Sequence, residues 1–150
     1  MPLEWINEWK YLGVKLRSSR RFDCTVLDTV KKFYRALNSI LRVDGRSGDV
    51  ILLQLIETHC LPILTYAIEV LQVSNRDENR SLRVAYNSIF RKIFGYRIFE
   101  SVTELQHALG RKTWEELIEK RKRIFIDRIL LKNNPDSFLH VIANISPRNL

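Results

Sequence analysis

The side chains here that could do chemistry are cations. Lys31, Lys32, Arg35 and Arg42 recur through one segment, Arg76, Arg80, Arg83, Arg91 and Lys92 through a second, and Lys120-Arg-Lys-Arg123 through a third. In the first two segments the cations lie off a stripe of apolar residues repeating at three- and four-residue steps, which predicts helices with basic sides. Such a side can sit against a phosphate backbone without reading base sequence, or it can simply be solvated. The third run also fits a nuclear-import signal. Constellations for bond making are missing. His59, His107 and His140 are scattered, and no glycine-rich phosphate loop is present. Glu115 and Glu116 are adjacent, so on a helix they point about 100° apart; they suit a helix first turn better than a catalytic pair. Cys24 and Cys60 have no partner at metal-ligand spacing, His59 beside Cys60 notwithstanding. They are expected to be buried thiols in a reducing compartment.

The elements that must carry these cations follow from composition and period. The chain has 150 residues, 45% hydrophobic and 28% charged, which suits one domain with a real core. Its net charge is +8, which favours an acidic partner such as nucleic acid. Residues 1–49 carry ten Lys/Arg against six acids, and residues 74–98 six against two. Residues 50–73 hold Glu57 and Glu69 with no base and are the most apolar stretch, so the positive charge lies outside the expected core. With Glu4 and Glu8 early and no basic run before an apolar one, no secretory signal is expected, and the location is predicted to be nuclear or cytoplasmic.

The predicted fold class is mainly α, a bundle of five or six helices with a short N-terminal β-hairpin. The hairpin is expected to pair residues 3–6 with 9–16 around Asn7-Glu8, with Tyr11, Gly13 and Lys15 on one face and Leu12, Val14 and Leu16 on the other. A basic loop, Arg17-Ser-Ser-Arg-Arg21, leads to a helix from about Asp23 to Val43. Its stripe is Val26/Leu27, Val30, Phe33/Tyr34, Leu37 and Ile40/Leu41. Residues 50–72 read as a central helix kinked near Pro62, with neighbours on several sides. A helix opening at Ser74–Asp77 ends at Gly95. Ser101-Val-Thr-Glu104 and Thr113-Trp-Glu-Glu116 read as capping boxes for two more helices, the first closed by Gly110. The second is expected to run to about Lys132 and to bury Trp114, Leu117, Ile118, Phe125, Ile129 and Leu130. Phe138 to Ile145 would pack back as another turn or two.

Several stretches, in order, resemble one family. "LEWINEWKYLGVKL" looks like the segment just after the catalytic palm in reverse transcriptases of non-LTR (LINE-type) retrotransposons, where a strand ending in Tyr-Leu-Gly begins the primer grip. "HCLPILTYAIEV" (residues 59–70) resembles the family's Pro, apolar pair, Tyr and Glu. "IFRKIFG" (89–95) and "SVTELQHALGRKTWEELIEKRKRIFIDRIL" then follow as the later thumb and post-thumb helices do. The resemblance implies a single domain over 1–150: a grip-like hairpin (1–16), thumb-like helices (17–98) and a post-thumb extension (99–150). It implies Tyr11, Leu12 and Gly13 at the grip. It also implies backbone contacts from Lys31, Lys32 and Arg35, with Arg17, Arg20 and Arg21 nearby. The implied partner is RNA–DNA hybrid or duplex nucleic acid, together with the palm of the parent polymerase; no membrane and no small-molecule substrate is implied.

The chain also departs from the family. Its catalytic centre needs metal-binding aspartates in the palm, one within an Asp-Asp pair, and no Asp-Asp pair occurs here. The endonuclease domain and the cysteine–histidine knuckle are missing too. The expectation is therefore a non-catalytic thumb-type fragment without metal or cofactor. The rival expectation is a helical protein-interaction or structural domain, a decayed remnant whose basic faces are only solvated. In that case Trp5, Trp9 and Tyr11 would form an exposed patch that invites self-association.

Overall fold

The structure is a computed structural model that describes residues 6–18, 23–43, 48–69 and 76–132. Two strands, β1 (Glu8–Tyr11) and β2 (Val14–Arg17), pair antiparallel with Tyr11 opposite Val14 and Glu8 opposite Arg17. The turn is Leu12-Gly13, with φ of 44° and 85°. Two central residues at positive φ define the primed turn that suits a two-residue hairpin, and glycine takes that region without a Cβ clash. This corrects the expected turn at Asn7-Glu8: Gly13 serves the turn itself. It also corrects the faces, because a two-residue turn restarts the alternation. Tyr11 shares a face with Val14, its cross-strand partner, and Lys10 shares the other with Lys15. A third strand, β3 (Asp23–Thr25), pairs with β2 where the helix was expected to begin, giving the order β1-β2-β3.

Six helices follow among the described residues: α1 (Leu27–Val43), α2 (Asp49–His59), α3 (Leu61–Leu64), α4 (Arg76–Phe94), α5 (Thr103–Ala108) and α6 (Trp114–Lys132). On α1, Phe33 and Leu37 are fully buried, with Val30, Tyr34, Ile40 and Leu41 packed beside them. Leu27 departs from the expected stripe at 54% exposed. Helix α4 buries Leu82, Ala85, Tyr86, Ile89 and Phe90 as its period predicts, and Gly95 ends it at φ 72°. The apolar run after residue 49 is not one kinked central helix. It stops at His59, turns at Cys60 and restarts as α3 with Pro62 in the first turn, where a missing N–H costs no helical bond. Only Leu52, Leu53 and Ile56 of α2 are buried, while Val50 and Ile51 are exposed. Neighbours therefore cover one side of α2, not several. Cys60 is a buried free thiol, its pKa pushed up by that burial. The side chains of Cys24, Ile129 and Leu130 lie outside the described residues, as does the tail from Phe138 to Ile145.

The two capping boxes differ. The Thr113 N–H donates to Glu116 Oε2 at 2.8 Å and the Glu116 N–H to Thr113 Oγ1 at 3.4 Å, a reciprocal cap. At Ser101, the hydroxyl accepts the Thr103 N–H and donates to Thr103 Oγ1, each at 3.4 Å, and Val102 occupies the cap position, so no reciprocal box forms. Glu116's carboxyl sits below the ordinary carboxylate range, first because it accepts the Thr113 N–H and then through the Thr113 side chain. A depressed acid contributes its stability above the unfolded pKa, and the contribution fades as pH falls through the folded value. Urea midpoints measured from about pH 6 down to about pH 3 should fall less steeply for Glu116→Gln than for the parent chain. Parallel curves would mean that the cap carries no acid dependence.

Candidate nucleic-acid interface

Helix α1 turns its buried side onto α3 and α4. At 100° per residue, Lys31, Lys32, Arg35 and Arg42 then fall on the opposite side, and all four are exposed. From Lys31 to Arg42 the row spans about 16 Å along the axis. Among the described residues, no carboxylate stands at ion-pair distance from any of the four, whereas Arg83, Arg111 and Arg121 are paired to Glu115, Glu57 and Glu69. The one acid of this helix, Asp28, is taken up by Lys15 of β2, with Nζ 2.7 Å from Oδ2. That contact raises the pKa of the ammonium and lowers that of the carboxyl, the hydrogen bond being the larger cause and charge attraction the second. Lys31 and Lys32, three and four residues further along the helix, lower Asp28 further.

Lys15 joins this row to the charged face of the sheet. Lys10 stands opposite Lys15 there, and Arg17, whose Nε is 3.6 Å from Glu8 Oε1, stands opposite Glu8. Asp23 registers against Arg17. Lys31 and Lys32 are thus linked through Asp28 and Lys15 to the strand that carries Arg17. Arg20 and Arg21 lie outside the described residues.

Leu12 and Gly13 of the hairpin turn meet the bundle at Tyr66, while Tyr11 beside them is exposed. Tyr66, in the turns after α3, donates its hydroxyl to the Leu12 carbonyl at 2.9 Å across 54 residues of chain. A Cβ added at Gly13 would sit 3.6 Å from the Tyr66 ring, an ordinary contact. The non-glycine residues at positive φ among those described are Leu12 and Ala67, one in the hairpin turn and one beside Tyr66. The cavity lined by Gly13, Thr25, Thr29 and Tyr66 is about 20 Å³, room for one water, so no larger molecule enters between hairpin tip and bundle. Tyr11 and Trp9 are each 61% exposed, so neither is core packing of the hairpin. Trp5 lies outside the described residues.

Leu12→Asn should relieve the Leu12 backbone, since an Asn-Gly pair suits this turn, and should stabilise the chain by roughly 0.5–1 kcal/mol. Gly13→Ala should cost about 1–2 kcal/mol for the opposite reason. Thermal melting would show a rise for the first and a fall for the second. Equal midpoints would mean that the hairpin is not coupled to the cooperative unit.

Tyr66 and Arg42 are the members of this region that sequence reasoning left out of the site. Arg42 shares the helical period of Lys31 and Arg35 and was legible from it. Tyr66 stands within the "HCLPILTYAIEV" stretch, but its pairing with Leu12 is a long-range contact with no local signal. No group of three or more His, Cys, Asp or Glu that could hold a metal ion occurs among the described residues, and no helix there is long and apolar enough to cross a membrane. No protein-family model matches the chain, and it matches no curated protein and no solved structure.

Proposed function

We propose that this chain is a non-catalytic, thumb-type piece of a retrotransposon reverse transcriptase that grips primer–template nucleic acid by its phosphates. The observation that carries the reading is the outer side of α1. Lys31, Lys32, Arg35 and Arg42 stand there without a paired carboxylate among the described residues, and the helix's one acid, Asp28, is engaged by Lys15. With Asp28 held by Lys15, the four cations are left open to an anionic partner. The tie between Tyr66 and Leu12 supports a hairpin held at a set position on the helices, as a primer grip requires. The partner is RNA–DNA hybrid or duplex nucleic acid, with the palm of the parent polymerase beside the hairpin. Without palm aspartates the chain incorporates no nucleotide, and a primer-extension assay with Mg²⁺ should stay blank.

Titration of the chain against a labelled RNA–DNA hybrid at several salt concentrations tests the grip. Micromolar or tighter binding is expected, with log K falling linearly in log salt. Absence of binding at low salt would sink the proposal.

A second reading has its own observation. β1 is the outer strand of the sheet, all four of its residues are exposed, and Trp9 and Tyr11 stand on one of its faces. A strand edge with aromatics and no partner strand among the described residues is a surface for a protein partner or a second copy. Sedimentation of the chain against a Trp9→Lys/Tyr11→Lys variant separates the two. A mass that falls on substitution, without nucleic-acid binding by the parent, would favour the helical interaction domain.

A further inference from the structure

The loop between α4 and α5 carries the two most exposed large hydrophobics among the described residues, Ile98 at 88% and Phe99 at 80%. Its backbone is tied down. Arg91 donates from Nη2 and Nε to the Glu100 carbonyl at 3.0 and 3.4 Å. The Arg97 N–H donates to Glu100 Oε2 at 2.7 Å, and the Glu100 N–H returns to the Arg97 carbonyl at 3.1 Å. The Tyr96 N–H donates to the Arg91 carbonyl at 3.0 Å. A turn closed at both ends thus holds two apolar side chains in water, where folding gains nothing from them.

Beside this loop lies a groove of about 390 Å³ between α4, α5 and the start of α6, lined by Arg80, Arg83, Asn87, Arg91, Ser101 and Thr103, among others. Arg91 belongs to both, lining the groove and clamping the loop. Buried Gln106 donates from Nε2 to Asn87 Oδ1 at 3.1 Å, which fixes the groove floor. Glu115 is the acid in the lining and stands 3.3 Å from Arg83, both side chains half exposed.

We propose that groove and loop form a second nucleic-acid contact, in which successive backbone phosphates dock on Arg80, Arg83 and Arg91 while an unpaired base stacks on Phe99. The inference rests on the nucleic-acid reading above and adds a site that the α1 row does not supply. Guanidiniums and hydroxyls converging on one groove match phosphate oxygens. Arg83 and Arg91 stand about 12 Å apart along α4, enough for more than one phosphate. A free aromatic face next to a cationic groove is the arrangement that holds single strands, since every base has a face to stack. Arg97, 6.0 Å from the Phe99 ring, adds a cation at the stack. Phosphate must displace the Glu115 carboxylate from Arg83, so Glu115 opposes binding.

The test is titration of the full chain with a labelled RNA–DNA hybrid bearing a single-stranded overhang, and with the blunt hybrid, at several salt concentrations. Phe99→Ala should weaken overhang binding about 5- to 100-fold with the salt slope unchanged, because stacking releases no counterion. Arg80→Ala/Arg83→Ala should lower the slope by about 1–2. Glu115→Gln should tighten binding. The substituted side chains are mostly exposed, and melting curves confirm that the variants fold. If Phe99→Ala binds the overhang like the parent while binding still depends on Lys31, Lys32 and Arg35, this inference falls and the α1 reading stands. If Phe99→Ala changes only self-association in sedimentation, the loop is a protein contact and the inference falls. If no probe binds at any salt, both readings fall.

Discussion

Trp114→Ala is expected to cost about 3–5 kcal/mol of folding stability. Trp114 is 1% exposed at the first residue of α6. Its ring lies 5.7 Å from that of Tyr86, and its Nε1–H donates to Asn79 Oδ1 at 3.0 Å, both on α4. Tyr86 in turn donates its hydroxyl to the Lys112 carbonyl at 2.8 Å, so the approach to α6 is fastened to α4 twice. Beyond that anchor, Leu117, Ile118 and Phe125 are only half-buried, so little else can take up the load. Alanine would leave a cavity that a helix held at one end cannot close. Trp114→Phe keeps most of the ring contact and leaves Asn79 to water, and should cost roughly 1 kcal/mol. Urea unfolding of both variants gives the comparison. A loss below about 1 kcal/mol for alanine would mean that α6 docks on the bundle by some other contact.

Tyr86 also makes the fold sensitive to base. Burial, and then the Glu57 carboxylate, push its phenol up to about 12. The folded chain therefore keeps a neutral phenol where the unfolded one ionises, and the tyrosine's contribution is lost as pH rises above about 10.

What could be read from the sequence divides along a physical line. Helices α1, α4 and α6 were legible because each repeats its apolar groups with a helical period, and Thr113-Trp-Glu-Glu116 because a cap is a local bond between near neighbours. A short N-terminal hairpin was legible, but its arms and turn were not: it pairs residues 8–11 with 14–17. Leu12 is a poor residue for a primed turn, so Gly13 read as one more residue on the face of a long strand. Moving the turn there put Tyr11 on the Val14 face and left Lys10 beside Lys15. Residues 50–72 misled for another reason. An unbroken apolar run carries no period, so its length suggested one central helix where His59 and Pro62 divide it and Val50 and Ile51 face solvent. The basic row on α1 was legible residue by residue, but its freedom from carboxylates was not. That freedom depends on Lys15 reaching Asp28 from another element. The Tyr66–Leu12 bond and the groove beside Phe99 are likewise products of packing between distant segments.

Replacing Lys31, Lys32 and Arg35 together with alanine should reduce the salt slope of hybrid binding by about 2–3, near 0.9 for each phosphate no longer neutralised. Across a fourfold rise in salt, a parent that neutralises three more phosphates sheds about 40-fold more affinity than the triple variant, so the two curves converge as salt is raised. The three side chains are exposed and paired with no carboxylate among the described residues, so their removal should leave the melting temperature nearly unchanged. The control is Lys15→Ala. It frees Asp28 on the same helix, so it should weaken binding both by losing a cation and by exposing an acid. Asp28→Asn should do the reverse and tighten binding. A general attraction between a basic protein and a polyanion would respond only to net charge. It would rank Arg121→Ala or Lys120→Ala, on α6, with Lys31→Ala. Binding that falls for α1 substitutions, rises for Asp28→Asn and ignores α6 would place the phosphates along α1. Equal losses for every cation removed would leave a sticky surface and no grip.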